Sequence, residues 1–195
     1  FWICDGCDPG DTARGSCLDR VKTFSNELGL PVNFHWYAWH QIPFDHDYPA
    51  YLPARAGFGA AVADLKGHGV SVMPYINANL WDKNRSDFDR DEAVLTPASN
   101  LVEFAATGLA QMCPSSRTFE NRLSGVATHL FGTDAVAGIY LDQLSAIGPI
   151  ACANPVHHHE SDGPKTWLDD GLFRRIDAVG GAGFVTSEWA NEVFV

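Results

Sequence analysis

The sequence has no apolar run that approaches the roughly 20 residues needed to cross a membrane. It is also poor in basic residues, since 13 Lys and Arg stand against 24 Asp and Glu and give a formal net charge of −11. A protein that binds nucleic acid needs a basic face for the phosphates. We therefore expect neither a membrane nor a nucleic acid as a partner.

Glycine-rich phosphate loops are also absent after the predicted strands, which argues against nucleotide binding. Cysteine is scarce, with five in the chain. Cys4 and Cys7 have the spacing of a zinc pair, but no second pair with matching spacing follows them. A local disulfide among Cys4, Cys7 and Cys17 is the preferred interpretation, and the compartment stays open. We expect no cofactor and assign no metal ligands.

What the chain does have is an ordinary globular composition with many aromatic residues. Its 195 residues are 46% hydrophobic and 12% aromatic, with six Trp. No repeat, linker or low-complexity segment divides them, so we predict one domain over residues 1–195. Aromatic faces with polar rims suit carbohydrate or other small polar ligands, although Trp also fills cores.

Five short apolar segments read as strands, at residues 1–3, 31–39, 70–76, 136–141 and 183–187. Helical spacing between them predicts four helices. The first is capped by Ser16 and ended by Gly29, and the second runs through Phe58 and Leu65. The third is capped by Ser115 or Ser116, and the last covers residues 167–176. Residues 82–91 read as a charged loop, and residues 93–110 show no clear pattern.

The alternation of strand and helix predicts a parallel α/β sheet, either an open doubly wound sheet or a (β/α)-barrel of the TIM type. Long polar and aromatic loops follow the strands, while the returns from helix to strand are short. This asymmetry favours the barrel, whose working face lies at the C-terminal ends of the strands. A complete barrel has eight strands and about 250 residues, so we predict a partial one. It would belong to a longer protein, self-associate or form an unusual open sheet, and Phe1 and Val195, both within apolar runs, favour the longer protein.

Two carboxylates end predicted strands. Asp142 closes the fourth strand and Glu188 follows the fifth, which places both at the face where such folds build their sites. The alternatives are that Asp142 only caps a turn and that Glu188 is a surface residue.

Substrate contacts are expected from the long loops and strand ends. Core packing is an equal alternative for the aromatic residues of the second strand, because side chains alternate along a strand. The three consecutive residues 157–159 are His, so a metal hydrolase using two of them with Asp142 is an alternative site. The candidates for substrate binding are His35, Trp39, His40, Asp45, Tyr48, Asn77, Trp81, Gln143 and His157.

Short motifs occur in a characteristic order along most of the chain. They are His35-Trp36-Tyr37-Ala38-Trp39-His40, Pro43-Phe44-Asp45, Tyr48-Pro49, Pro74-Tyr75-Ile76-Asn77, Met112-Cys113-Pro114, Tyr140-Leu141-Asp142-Gln143 and Ser187-Glu188. This pattern resembles glycoside-hydrolase-like (β/α)-barrel proteins that are distantly similar to endo-α-N-acetylgalactosaminidases. The resemblance implies a retaining glycosidase with a carbohydrate substrate, Asp142 as nucleophile and Glu188 as acid/base. The family's barrel continues through further strands that this chain lacks.

The spacing of parallel strands agrees with that mechanism. Neighbouring strands lie about 4.8 Å apart, so carboxylates at their ends can approach to about 5 Å. A retaining enzyme needs that separation, whereas an inverting enzyme leaves about 6.5–9.5 Å for a water. A non-catalytic carbohydrate-binding or interaction module on the same scaffold is the competing hypothesis, because a fold does not fix a function.

Overall fold

The computed structural model describes residues 2–4, 6–144, 150–157, 171, 173–181 and 183–187. Its main sheet has five strands, which are β1 (Trp2–Cys4), β2 (Val32–Trp36), β3 (Val70–Asn77), β7 (Gly138–Asp142) and β8 (Phe184–Ser187). All are parallel, in the spatial order β1-β2-β3-β7-β8. The five predicted parallel strands are therefore confirmed.

The first three helices lie close to the predicted residues, and of the fourth, predicted over residues 167–176, the structure describes residues 171 and 173–176. The helices are α1 (Cys17–Leu28), α2 (Phe58–Gly67), α3 (Arg117–Gly132) and α4 (Arg174–Gly180). The Ser16 hydroxyl accepts from the Asp19 amide at 3.3 Å, and Gly29 ends α1 with φ 65°, a left-handed conformation that favours glycine. Ser116 rather than Ser115 caps α3, since its hydroxyl accepts from the Phe119 amide at 3.1 Å.

The parallel sheet has two chemically different faces, because successive side chains of a strand point to opposite sides. On one side the Trp36 ring packs edge-on against Phe58 of α2, with centroids 5.2 Å apart. On the other side His35 stacks on Tyr140, with centroids 3.9 Å apart. Both sides are buried, but the helical side is apolar, whereas the opposite side carries His35, Tyr75 and Tyr140.

Within the described residues the sheet does not close into a barrel. The observed class is thus mixed α/β with an open parallel sheet, and the strand order is that of consecutive barrel strands joined by helical crossovers. The predicted parallel α/β class is confirmed, and closure into a barrel is not.

A second, smaller sheet lies between β3 and α3, where the sequence predicted a charged loop and no regular structure. Its antiparallel strands are β4 (Leu80–Asp82), β5 (Glu103–Phe104) and β6 (Leu109–Gln111), in the order β4-β6-β5. These strands are two or three residues long and too short to show a period, which is why the sequence did not predict them.

Near the start of the chain Cys7 and Cys17 form a disulfide, which confirms a local bridge and removes Cys7 from the zinc pair considered with Cys4. Among the described residues, no helix combines the length and apolarity that a membrane span requires.

Candidate active site

The candidate site lies at the C-terminal edge of the parallel sheet, where β3 and β7 end side by side. The strand register pairs Tyr75 with Tyr140 and Asn77 with Asp142. Each strand thus ends in a Tyr-x-Asn or Tyr-x-Asp sequence, and the alternation of strand residues puts these four side chains on one face. The face is the one that carries His35.

Two side chains of β3 hold the Asp142 carboxylate. The Tyr75 hydroxyl donates to Asp142 Oδ2 at 2.5 Å, and the Asn77 side-chain amide donates to the same oxygen at 3.2 Å. Hydrogen bonds to an ionised oxygen are the short, strong kind. Both of these bonds fall on Oδ2, so they fix the orientation of the carboxylate plane.

The turn after β7 is held in an unusual conformation. Gln143 has φ 59°, a left-handed value that is uncommon outside glycine. Its side-chain oxygen accepts from the Asn77 amide at 3.1 Å, and its backbone carbonyl accepts from the Asn79 side chain. Asn77 Oδ1 also accepts from the backbone amides of Asn79 and Leu80, both at 2.9 Å. Asn77 therefore ties the turn, the carboxylate and its own strand end together.

A chain of hydroxyl groups leads away from Asp142. The Tyr75 and Tyr48 hydroxyl oxygens are 3.3 Å apart, the Tyr48 and Tyr37 oxygens are 2.9 Å apart, and Tyr48 donates to Asp45 Oδ1 at 3.2 Å. Burial raises the pKa of Tyr48 and of Tyr75 far above the ordinary value, so both stay protonated and can donate. Burial, and to a lesser degree the charge of Asp142, raises the pKa of Asp45. Each carboxyl group thus accepts from one tyrosine hydroxyl, Asp142 from Tyr75 and Asp45 from Tyr48.

Trp39 and His40, two of the predicted substrate contacts, are buried next to this network. Trp39 is fully buried, and its indole nitrogen donates to the Tyr75 carbonyl at 2.7 Å. His40 is 1% exposed, and burial lowers its pKa to about 4, which keeps the ring neutral at ordinary pH. The burial of both rings favours a supporting role, and their contact with a sugar stays a prediction.

Other candidates lie in different surroundings. Trp81 packs against Phe119 of α3, and the Arg122 guanidinium sits 5.9 Å from the Trp81 ring centroid. His157 Nδ1 lies 3.2 Å from the Cys152 sulfur. Glu188, His158 and His159 fall outside the described residues, so their predicted roles stay predictions.

Two residues of the site, Tyr75 and Tyr51, were not among those predicted from the sequence. Tyr75 contacts Asp142 directly, and Tyr51 accepts a 2.7 Å hydrogen bond from the Asn77 backbone amide. The shared Tyr-x-polar ending of residues 75–77 and 140–142 was visible in the sequence and could have identified Tyr75. Tyr51 comes from a loop, and only the fold brings it to β3.

The fold is that of a class of solved glycosidases. An α-N-acetylgalactosaminidase from Bifidobacterium bifidum, NagBb, superposes with a TM-score of 0.70 over 96% of this chain and 33% of its own, at 17% identity. A GH36 α-galactosidase from Geobacillus stearothermophilus, AgaA, solved with 1-deoxygalactonojirimycin, gives a TM-score of 0.65 over 95% of this chain and 27% of its own, at 11% identity. At these identities the similarity shows the fold alone.

The chain belongs to the family described as a domain of unknown function, DUF6259, whose profile matches residues 9–194. A Bacteroides thetaiotaomicron protein named "Putative glycoside hydrolase" is 29% identical over 171 residues, 82% of this chain and 25% of that protein. A Monosiga brevicollis protein named "Putative glycoside hydrolase 22789" is 32% identical over 175 residues, 77% of this chain and 15% of that protein. The chain thus spans a quarter or less of these relatives, and the resemblance to glycoside-hydrolase-like barrel proteins is confirmed.

Proposed function

We propose that this chain carries the nucleophile of a retaining glycoside hydrolase, with Asp142 as the attacking carboxylate and Glu188 as the acid/base. The observation that carries the proposal is the fixed Asp142 carboxylate at the C-terminal edge of the parallel sheet, held by Tyr75 and Asn77. The named relatives and the glycosidase fold support the same reaction class.

The reaction needs a carboxylate that stays ionised and points in one direction. Two donors on one oxygen stabilise the ionised form and limit rotation of the carboxylate. In the proposed mechanism Asp142 attacks the anomeric carbon, the glycosidic oxygen leaves with the proton of Glu188, and a covalent glycosyl-enzyme forms. A water that is deprotonated by Glu188 then releases the sugar with retention of configuration.

The pairing of the two carboxylates rests on the register and on the sequence. Leu141 and Ser187 are partners across β7 and β8, and they are the residues immediately before Asp142 and Glu188. Since neighbouring strands lie about 4.8 Å apart, the proposal places the carboxyl groups at the separation that a retaining mechanism requires.

The substrate class in the proposal is an α-linked galactose or N-acetylgalactosamine. It is taken from the printed activities of the structural neighbours, an α-N-acetylgalactosaminidase and an α-galactosidase. The face that carries Asp142 holds His35, Tyr37, Tyr75 and Tyr140, each 5–9% exposed, and their aromatic and hydroxyl groups are of the kind that suits such a sugar.

The test uses the longest native protein that carries this chain, assayed on 4-nitrophenyl α-galactoside and α-N-acetylgalactosaminide. We expect turnover with the α-anomer as the first product by NMR, and a loss of about 10⁴-fold or more in Asp142→Asn. Asp64→Asn, on the exposed pair with Lys22, is the matched control and should keep full activity. Glu188→Gln should be rescued by azide, which can attack the covalent intermediate without base assistance.

Three outcomes would contradict the proposal. They are full activity of Asp142→Asn, a first product of inverted configuration, and a wild-type protein that binds these sugars without hydrolysing them. The last result would identify the non-catalytic module instead. The metal-hydrolase alternative, which combined two of the three consecutive His with Asp142, stays a prediction, because His157 is the one of the three that the structure describes, and it lies beside Cys152.

A further inference from the structure

Away from the carboxylate, three ligand-type side chains converge beside α3. They are Cys113, in the segment between β6 and α3, and Cys152 and His157, in the segment that follows β7. One ligand atom of each lies within 4.8 Å of the other two. Both sulfurs are buried, and neither cysteine is in a disulfide in the structure. We propose that Cys113, Cys152 and His157 bind a zinc ion.

The geometry is that of a zinc site rather than of a disulfide. Around a tetrahedral zinc, with Zn–S about 2.3 Å and Zn–N about 2.0–2.1 Å, a sulfur and a nitrogen ligand lie about 3.6 Å apart and two sulfurs about 3.8 Å apart. The Cys152 sulfur and His157 Nδ1 are 3.2 Å apart, a hydrogen-bond distance that is about 0.4 Å shorter than the tetrahedral separation, so a small shift of either side chain would admit the ion. A disulfide would join the two sulfurs at about 2.05 Å and would need no imidazole beside them.

The donor set also selects the metal. Two thiolates and one imidazole are soft and borderline ligands, which suit zinc and exclude calcium or magnesium. With the three ligands found among the described residues, the fourth tetrahedral position is left to water or to another side chain.

The loop that carries two of the ligands is held in place independently of any ion. The Asn154 side-chain amide donates to the backbone carbonyls of Asp91 and Ala93, both at 3.0 Å. The Ala153 amide donates to the Leu95 carbonyl at 2.8 Å. Because these bonds fix the loop against the segment before β5, Cys152 and His157 approach Cys113 without a large loss of chain entropy on metal binding.

The proposed site is connected to the candidate active site through one arginine. The fully buried Arg175 guanidinium donates to the Cys113 carbonyl at 3.2 Å and contacts Asn79 Oδ1. Asn79 in turn donates to the Gln143 carbonyl, next to Asp142. A bound zinc would therefore hold the segment before α3, which is linked to the Asp142 turn through Arg175 and Asn79.

The test measures metal content in the full protein, purified without chelator or metal-affinity resin and dialysed against a metal-free buffer. We expect about one zinc per chain by mass spectrometry, and at least a tenfold lower content in His157→Asn. His68→Asn is the matched control, since His68 pairs with Asp64 near the exposed end of α2 and should keep the zinc. Substituting His157 leaves both buried cysteines in place. Circular dichroism checks that the His157→Asn protein is folded.

A second measurement separates zinc from a disulfide. After denaturation without reductant, an alkylating reagent should label both Cys113 and Cys152 if they bound zinc, whereas a disulfide would leave both unlabelled until reduction. Unlabelled cysteines would overturn the proposal. So would a folded wild-type protein that takes up no zinc from a micromolar solution, or an equal zinc content in His157→Asn and wild type.

Discussion

Replacing Tyr75 by Phe removes one hydroxyl and leaves the ring in place, which isolates the 2.5 Å hydrogen bond to Asp142. A hydrogen bond to a charged group contributes about 1.5–3 kcal/mol, and one pH unit corresponds to 1.36 kcal/mol. The hydroxyl donates to the carboxylate, so it favours the ionised form and keeps Asp142 ionised to lower pH. Without it we expect the acid limb of the profile of kcat/KM against pH to move up by about one to two pH units.

The assay is the pH dependence of kcat/KM on an activated aryl α-glycoside, because that profile reports groups of the free enzyme. Tyr37→Phe is the control, since the Tyr37 hydroxyl pairs with the hydroxyl of Tyr48. It should shift the acid limb by much less. An unchanged acid limb in an active Tyr75→Phe enzyme, or equal shifts in the two variants, would refute the hydrogen-bond argument.

Three further predictions concern stability and assembly. Burial holds the pKa of His40 at about 4, below its unfolded value of 6.5, so the free energy of unfolding should be highest above pH 6.5 and fall as the pH drops towards 4. Urea unfolding should show a loss of about 2 kcal/mol at pH 5, and this loss should be absent in His40→Gln. The Cys7→Ala, Cys17→Ala double variant should lose about 2–3 kcal/mol in the same assay, as expected for a loop of ten residues, and no loss would contradict the constraint. The chain expressed alone should self-associate through its open sheet edge, where Phe184 is 41% exposed, and a dilution-stable monomer in sedimentation velocity would argue against this.

Much of the parallel sheet could be predicted from the sequence. The strands around Val72 and Ile139 are continuous apolar runs of the kind that a sheet buried by helices requires, and Ser16 and Gly29 mark the ends of α1 unambiguously. These signals lie within short segments of the chain, so one sequence is enough to recognise them.

The contacts that define the site are not local. Tyr48 and Tyr51 come from the loop after β2, and their partners Tyr75 and Asn77 lie on β3, so no spacing rule connects them. The same holds for Cys113 and Cys152, which are separated by α3 and β7 and meet only in the folded chain. From the sequence, Trp39 could equally stack on a sugar or pack in the core. Its complete burial in the folded chain favours packing in the core.

Covalent trapping tests the central claim most directly. The longest native protein that carries this chain would be incubated with an α-galactose-configured or α-N-acetylgalactosamine-configured cyclophellitol aziridine, which alkylates the nucleophile of retaining glycosidases, and then digested and sequenced by tandem mass spectrometry. Our account predicts a single adduct on Asp142, blocked by the free sugar and absent in Asp142→Asn. An adduct on another carboxylate of an active enzyme would contradict it.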